Sequence, residues 1–184
     1  MTNNHHIEIP TVVFDADGEL IITASATSSK HDFDFLNGNH IVQHKKLKSR
    51  LTNNNEWIEF KGTHSQELIL NGVGNVEQQK MIDTEGNPIE GAAIRLFNLQ
   101  TKLWNIYWAD SQNGKLDPPV VGSFENKIAH FFNRDIFDDK QILVVFRWDA
   151  REANTPVWSQ AFSDDNGRTW EWNWYMHFSK PGKN

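Results

Sequence analysis

The 184-residue chain contains no cysteine. This absence excludes disulfide bonds, thiolate zinc sites and a cysteine nucleophile. Long apolar runs are also missing, since no stretch approaches the roughly 20 residues that a membrane-spanning helix needs. The amino-terminal residues MTNNHHIEIP are polar where a signal peptide would carry an apolar segment. We therefore expect no membrane association and a cytoplasmic location.

An excess of positive charge is missing as well. The chain has 18 lysine and arginine residues against 24 aspartate and glutamate residues, which gives a formal net charge of −6. Proteins that bind the phosphate backbone of nucleic acids usually present a basic patch. The basic run at residues 45–50 alternates between the two faces of a predicted strand and forms no continuous stripe. We expect no nucleic-acid partner.

Recognised motifs for metals, cofactors and hydrolysis are absent. No H-x-H or H-E-x-x-H pattern occurs, and Gly72-Val73-Gly74 lacks the third glycine of a dinucleotide-binding loop. His40 and His44 would lie roughly 13 Å apart on one strand face, which is too far to share a metal ion. No G-x-S-x-G elbow marks a serine hydrolase. We expect no metal and no cofactor, and the sequence assigns no catalytic residue.

What the chain does contain is a series of short β-type segments separated by turn residues. Asn71-Gly72, Asn113-Gly114 and Asn166-Gly167 are examples of such turns. Strands that repeat every 8–12 residues or so indicate a sandwich or a barrel, and a meander with short connections removes its edges by closing. The predicted strands cover residues 40–51, 57–70, 73–82, 92–99, 103–109, 120–132, 142–149, 157–162 and 170–178.

We therefore predict an all-β fold, a closed antiparallel meander barrel of about 8–10 strands with one short N-terminal helix. Ser28 or Ser29 is the expected cap of that helix, which ends at Gly38. Residues 1–30 are predicted to form an N-terminal extension with a hairpin around Asp17-Gly18. Residues 31–180 are predicted to form the barrel domain.

Alternation along the predicted strands separates two faces. One face is apolar and rich in tryptophan, and it includes Ile94, Leu96, Trp104, Ile106, Trp108, Ile142, Val144, Phe146, Trp148, Trp170, Trp172, Trp174, Met176 and Phe178. The other face is mixed, with Arg95, Tyr107, Arg147, Gln160 and His177. We expect the tryptophan-rich face to line the barrel interior. The alternative places the mixed residues inside as a polar pocket and buries the tryptophans in an oligomer interface.

One local motif predicts a specific turn. The sequence SDDNGRTW, at residues 163–170, matches S-x-D-x-G-x-T-W and resembles the Asp-box hairpin of sialidase-type propellers. Asp165 can accept backbone N–H bonds, Gly167 permits a positive φ, and Trp170 can pack beneath the turn. The chain has one copy where sialidases have several, so the motif indicates a structural turn.

A longer resemblance supports the barrel. The segment FDFLNGNH, residues 33–40, resembles the opening of lipocalin-like (calycin) barrels, with His40 in place of the tryptophan of their G-x-W motif. Residues 33–180 are also similar to a group of uncharacterised bacterial proteins assigned to lipocalin-like barrels. The shared segments are IYWAD (106–110), LDPPVVG (116–122), FRW (146–148) and WSQAFSDDNGRTW (158–170). The resemblance implies a lipocalin-like barrel of bacterial origin, and it implies no established activity.

The leading functional interpretation is a barrel that binds a small molecule. Closed barrels of this size hold either a packed core or one small ligand. The tryptophans favour a cavity for a small apolar or aromatic molecule. We predict Trp104, Trp108, Trp148 and Trp174 as cavity walls, and His40, His44 and Asp110 as polar contacts that orient the ligand near one end.

Two alternatives stay open on the sequence alone. The first is an enzyme, such as an isomerase, cyclase or lyase, acting on a small apolar substrate. It requires a titratable residue in the cavity, for which His44 and His177 are the first candidates. The second is a structural or oligomerising domain that holds no ligand and forms a homodimer through its aromatic face.

Overall fold

A computed structural model describes residues 8–83 and 85–182. Within these residues it contains twelve strands, ten of which close into a single barrel. The strands are β1 (Val13–Phe14), β2 (Leu20–Ile21), β3 (Gly38–Leu47), β4 (Trp57–Ile69), β5 (Gly74–Ile82), β6 (Pro88–Phe97), β7 (Trp104–Asp110), β8 (Val120–Glu125), β9 (Ile128–Phe137), β10 (Lys140–Asp149), β11 (Val157–Ser163) and β12 (Glu171–Ser179).

The barrel is a meander, because each strand from β3 to β12 pairs with the next strand in the chain. All of these pairs are antiparallel, and β12 completes the ring by pairing with β3. In that closing pair Trp174 lies opposite Lys46 and Met176 lies opposite His44. The predicted all-β, closed antiparallel barrel of about 8–10 strands is confirmed.

One predicted strand is in fact two. The segment 120–132 divides at Asn126 and Lys127, which have φ values of 50° and 66°. These two residues form the tight turn between β8 and β9, in which Glu125 pairs with Ile128. The barrel therefore has ten strands where the sequence segments predicted nine.

The predicted N-terminal helix is a single 3₁₀ turn, Asp34–Leu36, and a second 3₁₀ turn covers Leu70–Gly72. The residue that organises the first turn is Asp32, whose carboxylate accepts the Ser29 N–H at 2.9 Å. Phe33 and Leu36 follow it and are 1% and 0% exposed, so they fill one end of the barrel, called here the closed end. No described helix is both long enough and apolar enough to span a membrane.

The segment before the barrel lies against its outer wall. β1 and β2 pair as a short hairpin around Asp17-Gly18. The Ser25 N–H donates to Ser123 Oγ at 2.9 Å, which ties the segment to β8. Val12 and Leu143 both lie beside Gly167, so the segment also reaches β10. The first seven residues lie outside the described range, and the division into an extension at 1–30 and a domain at 31–180 stays a prediction.

Along β7, β10 and residues 174–178 of β12, the tryptophan-rich face is the inner face of the barrel, as the preferred interpretation expected. Trp104 and Trp148 are 1% and 2% exposed. Two residues of the mixed face, Arg95 and Gln160, also point inward, which corrects the expectation for them. Arg95 lies with Ala93 and Phe97 on the inner side of β6. Ile94 and Leu96, which were expected to point inward, therefore point outward.

A β-bulge corrects the expectation for the last strand. The register of β11 against β12 shifts between Gln160 and Ala161. In the strand pair, Gln160 lies opposite Trp174, whereas Ala161 lies opposite Trp172. The extra residue is Asn173, which is fully buried and accepts a hydrogen bond from Gln160 at 2.8 Å. A bulge reverses the alternation of the side chains before it. Trp172 consequently stacks on the outward-facing Tyr175, with ring centroids 6.2 Å apart.

The turn between β11 and β12 has the geometry that the Asp-box motif predicts. Asp165 Oδ1 accepts the Thr169 N–H at 2.9 Å, and Asp165 Oδ2 accepts the Thr169 hydroxyl at 2.7 Å. Ser163 Oγ accepts the Gly167 N–H at 2.8 Å. Gly167 has φ +83°, a value that favours glycine. The motif therefore serves as a structural turn in this chain.

Candidate functional site

The barrel encloses a cavity of about 430 Å³. This volume lies within the range of about 300–1,000 Å³ that is typical of small-molecule sites. The cavity extends from the closed end to the loop between β7 and β8, where the exposed Gln112 and Asn113 line it, so it reaches solvent there. Its apolar wall is formed by Met81, Ile89, Ile106, Trp108, Val120, Phe137, Val144, Phe146, Trp148, Trp158, Phe162, Trp174 and Met176.

Four tryptophans from four strands dominate this wall. Trp108 comes from β7, Trp148 from β10, Trp158 from β11 and Trp174 from β12. Trp158 and Trp174 meet edge to face, with centroids 5.5 Å apart and an interplanar angle of 88°. Indole rings offer large, rigid, flat contact surfaces. The wall is therefore suited to a planar apolar body.

Trp174 is held in place by His44. Trp174 Nε1 donates a hydrogen bond to His44 Nδ1 at 3.3 Å, and the imidazole stacks on Phe60 with a centroid distance of 4.5 Å. Burial, together with the nearby charge of Lys46, lowers the pKa of His44 to about 4. At neutral pH the imidazole is therefore uncharged and its Nδ1 can accept. His44 lies behind the wall and positions it.

A buried ion pair forms what we call the polar floor, made of Glu77, Gln79 and Arg95. Arg95 Nη2 donates to Glu77 Oε2, and Arg95 Nη1 donates to Gln66 Oε1 and Asn75 Oδ1, each at 2.9 Å. The guanidinium also lies 4.8 Å from the ring centroid of Phe33 at the closed end. The floor therefore places a buried charge pair beside the aromatic wall of the cavity.

Two histidines extend the floor away from the cavity. His64 Nε2 donates to Glu77 Oε2 at 3.2 Å, and His64 Nδ1 lies 3.2 Å from His40 Nδ1. Burial acts to raise the pKa of Glu77, but the Arg95 charge and the His64 hydrogen bond outweigh it and hold that pKa well below its usual range. Glu77 is therefore ionised at neutral pH. Burial, with Lys180 and His64, lowers the pKa of His40 to about 4.

Two polar atoms of the floor have no hydrogen-bond partner among the described residues. They are Gln79 Oε1 and Arg95 Nε, and both residues are 3% exposed. The Gln79 amide nitrogen donates to Glu77 Oε1, so the free atom of Gln79 is its acceptor. Buried polar atoms are nearly always paired in folded proteins. The floor thus leaves one acceptor and one donor buried without a partner.

The opposite end of the cavity carries both signs of charge. We call this end the mouth and define it by Lys46, Arg50, Asp110, Asp117 and Asp135, all of which line the cavity. Lys46 Nζ lies 3.9 Å from the ring centroid of Trp174. Burial, and then the charge of Arg50, lowers the pKa of Lys46 to about 8. Burial and the neighbouring Asp135 raise the pKa of Asp117.

Four of the seven predicted site residues line the cavity. Trp108, Trp148 and Trp174 belong to its wall, and Asp110 belongs to its mouth. The carboxylate of Asp110 is occupied by its own loop, since Oδ1 accepts the N–H groups of Gln112 and Asn113 at 2.9 Å each. Asp110 therefore shapes the loop at the mouth.

The other three predicted residues lie outside the cavity lining. Trp104 packs at the closed end, where its ring meets Phe33 edge to face at 4.9 Å and its Nε1 donates to the Ser29 carbonyl at 3.2 Å. His40 and His44 are buried in the barrel interior behind Glu77 and Trp174, as described above. These three side chains are buried in the barrel interior, and other side chains separate them from the cavity.

Sequence reasoning missed Trp158, Lys46, Glu77, Gln79 and Arg95 as cavity residues. β5 carried a usable signal, because Glu77 and Gln79 alternate with Met81 on one face. The inner residues of β4 and β6 gave a weaker signal, since polar and apolar side chains occur on both faces of these strands. The sequence alone cannot show that Glu77 and Arg95 form an ion pair inside the barrel, because their contact depends on how the neighbouring strands pair.

The structure bears directly on the two alternatives. His177 is exposed on the outer face and His44 lies behind Trp174, so neither histidine faces the cavity. The tryptophans that line the interior are not available as a dimer interface.

Within residues 8–83 and 85–182, no group of three His, Cys, Asp or Glu side chains is arranged to hold a metal ion.

Comparisons with known proteins assign no family, since no protein-family model and no curated protein matches the chain. The barrel is therefore established by the structure, and the lipocalin-like and bacterial assignments rest on the resemblance of the sequence motifs.

Proposed function

We propose that the barrel binds one small molecule with a flat apolar or aromatic body and an uncharged polar end group. The observation that carries the proposal is the cavity of about 430 Å³, which combines four wall tryptophans with two unpartnered polar atoms on its floor. The lipocalin-like relationship supported by the segment 33–40 is consistent with this function. The bacterial origin and the cytoplasmic location stay predictions.

The aromatic wall supports the apolar body of the ligand. Transfer of apolar surface from water to such a wall contributes roughly 25 cal/mol per Å². A planar molecule also gains contact with the faces and edges of the indole rings. The Trp148 ring centroid lies 5.9 Å from the Arg95 guanidinium of the floor, and the Trp174 centroid lies 3.9 Å from Lys46 Nζ at the mouth. We propose that the ligand lies between these two rings.

The floor supports the choice of an uncharged polar group. Gln79 Oε1 requires a donor and Arg95 Nε requires an acceptor. A hydroxyl, a primary amide or a protonated acid supplies both. Glu77 already neutralises Arg95, so an anionic ligand would bury an additional uncompensated charge.

A fluorescent probe tests the cavity. The probe N-phenyl-1-naphthylamine becomes strongly fluorescent in apolar sites, and we expect it to bind the protein with one site per chain. Ala93 lines the cavity on β6, and Ala93→Leu would fill part of the space. Overfilling a packed interior costs about 1–3 kcal/mol. We expect roughly tenfold or greater weakening of probe binding.

Ala92→Leu is the matched control, because Ala92 is the adjacent residue on the same strand and faces outward. It adds the same side chain without entering the cavity, so it should bind the probe as the wild type does. Equal binding by both variants would place the probe outside the barrel and contradict the proposal. Urea denaturation of both variants establishes that each is folded.

A further inference from the structure

Lys46 is a residue of the mouth that the proposed function does not use. It lies on the inner face of β3, opposite Trp174 of β12, and it lines the cavity. Its Nζ lies over the indole of Trp174 at 3.9 Å, and His44 fixes that indole from behind. Within the described residues, lysine ion pairs join Lys48 to Glu56 and Lys80 to Glu90, and none involves Lys46.

The adjacent residue provides a direct comparison. Lys45 also lies over a tryptophan, with Nζ 5.4 Å from the ring centroid of Trp57, but it is exposed on the outer face of the same strand. The two lysines thus share a strand and an aromatic neighbour. They differ in that only Lys46 presents its amine to an enclosed aromatic cavity.

We propose that Lys46 is a covalent attachment site for carbonyl compounds, and that its ε-amine forms an imine with a flat aromatic aldehyde held in the cavity. This inference rests on the proposed function, since the aromatic body must first occupy the cavity. The amine nitrogen attacks the carbonyl carbon and a C=N bond replaces the C=O bond. The two hydrogens of the neutral amine leave with the carbonyl oxygen as one molecule of water, so no oxidant or reductant is needed.

The surroundings of Lys46 favour this reaction in two ways. Only the neutral amine is nucleophilic, and desolvation of a lysine among apolar groups increases the neutral fraction. Arg50 acts in the same direction, whereas Asp83 and Asp110 oppose it. With a pKa of about 8, Lys46 at pH 8 has on the order of a hundredfold more neutral amine than an ordinary lysine. The wall tryptophans also hold the aromatic body of the aldehyde beside the amine.

Reductive trapping tests the proposal. The protein is incubated with a substoichiometric amount of 2-naphthaldehyde and sodium cyanoborohydride at pH 8, and the label is located by intact mass and peptide mapping. We expect a single naphthylmethyl group on each labelled chain, attached at Lys46. Lys46→Arg keeps the positive charge and should lose this label. Lys45→Arg should keep it.

A second probe separates the two proposals. 2-Naphthalenemethanol has the same aromatic body and no carbonyl group, so it should quench the tryptophan fluorescence of the wild type and of Lys45→Arg alike. Quenching by this alcohol, together with labelling spread over surface lysines or unchanged in Lys46→Arg, would overturn the attachment site and leave the cavity intact. Absence of binding by both naphthyl compounds would overturn the attachment site together with the proposed function.

Discussion

The ion pair of Glu77 and Arg95 is the most consequential pair of residues in the barrel. Their side chains are 2% and 4% exposed, and Arg95 also donates to Gln66 and Asn75. Burial of two charges is unfavourable unless each has its partner and its hydrogen bonds. The pair therefore sets a polar boundary to the cavity, and each member depends on the other for its stability.

This dependence predicts a large effect of Glu77→Gln. The variant leaves the Arg95 charge buried without a counterion, and loss of one partner of a buried pair costs about 3–5 kcal/mol. The measurement is the free energy of unfolding from urea denaturation at pH 7. Glu90→Gln is the control, because the ion pair of Glu90 with Lys80 is 69% exposed on both sides and such pairs contribute at most about 1 kcal/mol. Similar losses in the two variants would contradict the assignment.

Gly91 makes room for a wall tryptophan. A Cβ atom at this position would overlap the indole ring of Trp108, so the ring lies directly over the glycine. Gly91→Ala must displace the ring, and we expect a loss of about 1–3 kcal/mol in stability together with weaker binding of the naphthylamine probe. The double variant Gly91→Ala, Trp108→Leu removes the ring. In the Trp108→Leu background the same alanine should cost much less, and an unchanged cost would assign the effect to the backbone.

Most strand boundaries could be predicted from alternation and turn residues. The sequence failed to predict one turn and one bulge, and each failure has a physical explanation. The turn at Asn126-Lys127 lacks glycine, so segment 120–132 gave the signal of one long strand, although both residues adopt positive φ. The bulge at Asn173 left no signal either, because Trp170, Trp172 and Trp174 alternate regularly in the sequence. In both cases the pairing of neighbouring strands decides the local conformation.

The turn between β8 and β9 predicts a stabilising substitution. Lys127 has φ +66°, a conformation that is unfavourable for residues with a Cβ and that glycine adopts readily. Lys127→Gly should therefore raise the free energy of unfolding by about 0.5 kcal/mol after the entropy of the added glycine is included. Urea denaturation provides the measurement.

Lys61→Gly is the matched control, since Lys61 is an exposed residue within β4. Glycine inside a strand is destabilising by roughly 0.5–1 kcal/mol. The two lysine-to-glycine variants should thus change stability in opposite directions. A loss of stability in Lys127→Gly would show that the lysine side chain contributes more than its backbone strain.

At the scale of the whole molecule, the barrel has two unlike halves. β3, β4 and β5 contribute the buried polar side chains His40, His44, His64, Gln66, Asn75, Glu77 and Gln79, whereas β7, β10, β11 and β12 contribute the tryptophans. The closed barrel and its aromatic side could be predicted from the sequence, because a regularly alternating apolar face favours the interior of a barrel. The polar side could not, because polar residues at period two are equally compatible with solvent and with a buried network.

The buried histidines make the stability of the whole barrel depend on pH. Burial, followed by different neighbouring charges, lowers the pKa values of His40, His44 and His130 to about 4, against an ordinary value of 6.5. Between pH 6.5 and 4 the unfolded chain therefore binds protons that the folded barrel does not. The free energy of unfolding must fall as the pH falls through this window, with each histidine contributing about 1.4 kcal/mol per pH unit.

Urea denaturation at pH 7, 6 and 5 measures this slope, and His44→Gln tests one contributor. Glutamine offers an amide oxygen to Trp174 Nε1 but binds no proton, so the variant should lose stability less steeply than the wild type, by about 1.4 kcal/mol per pH unit below pH 6. His31→Gln removes an exposed imidazole without touching the barrel interior and serves as the control. If both variants change the slope equally, the pH dependence does not originate in the buried side of the barrel. A selective change in His44→Gln would instead show that the residue holding the Trp174 wall also links barrel stability to acidity.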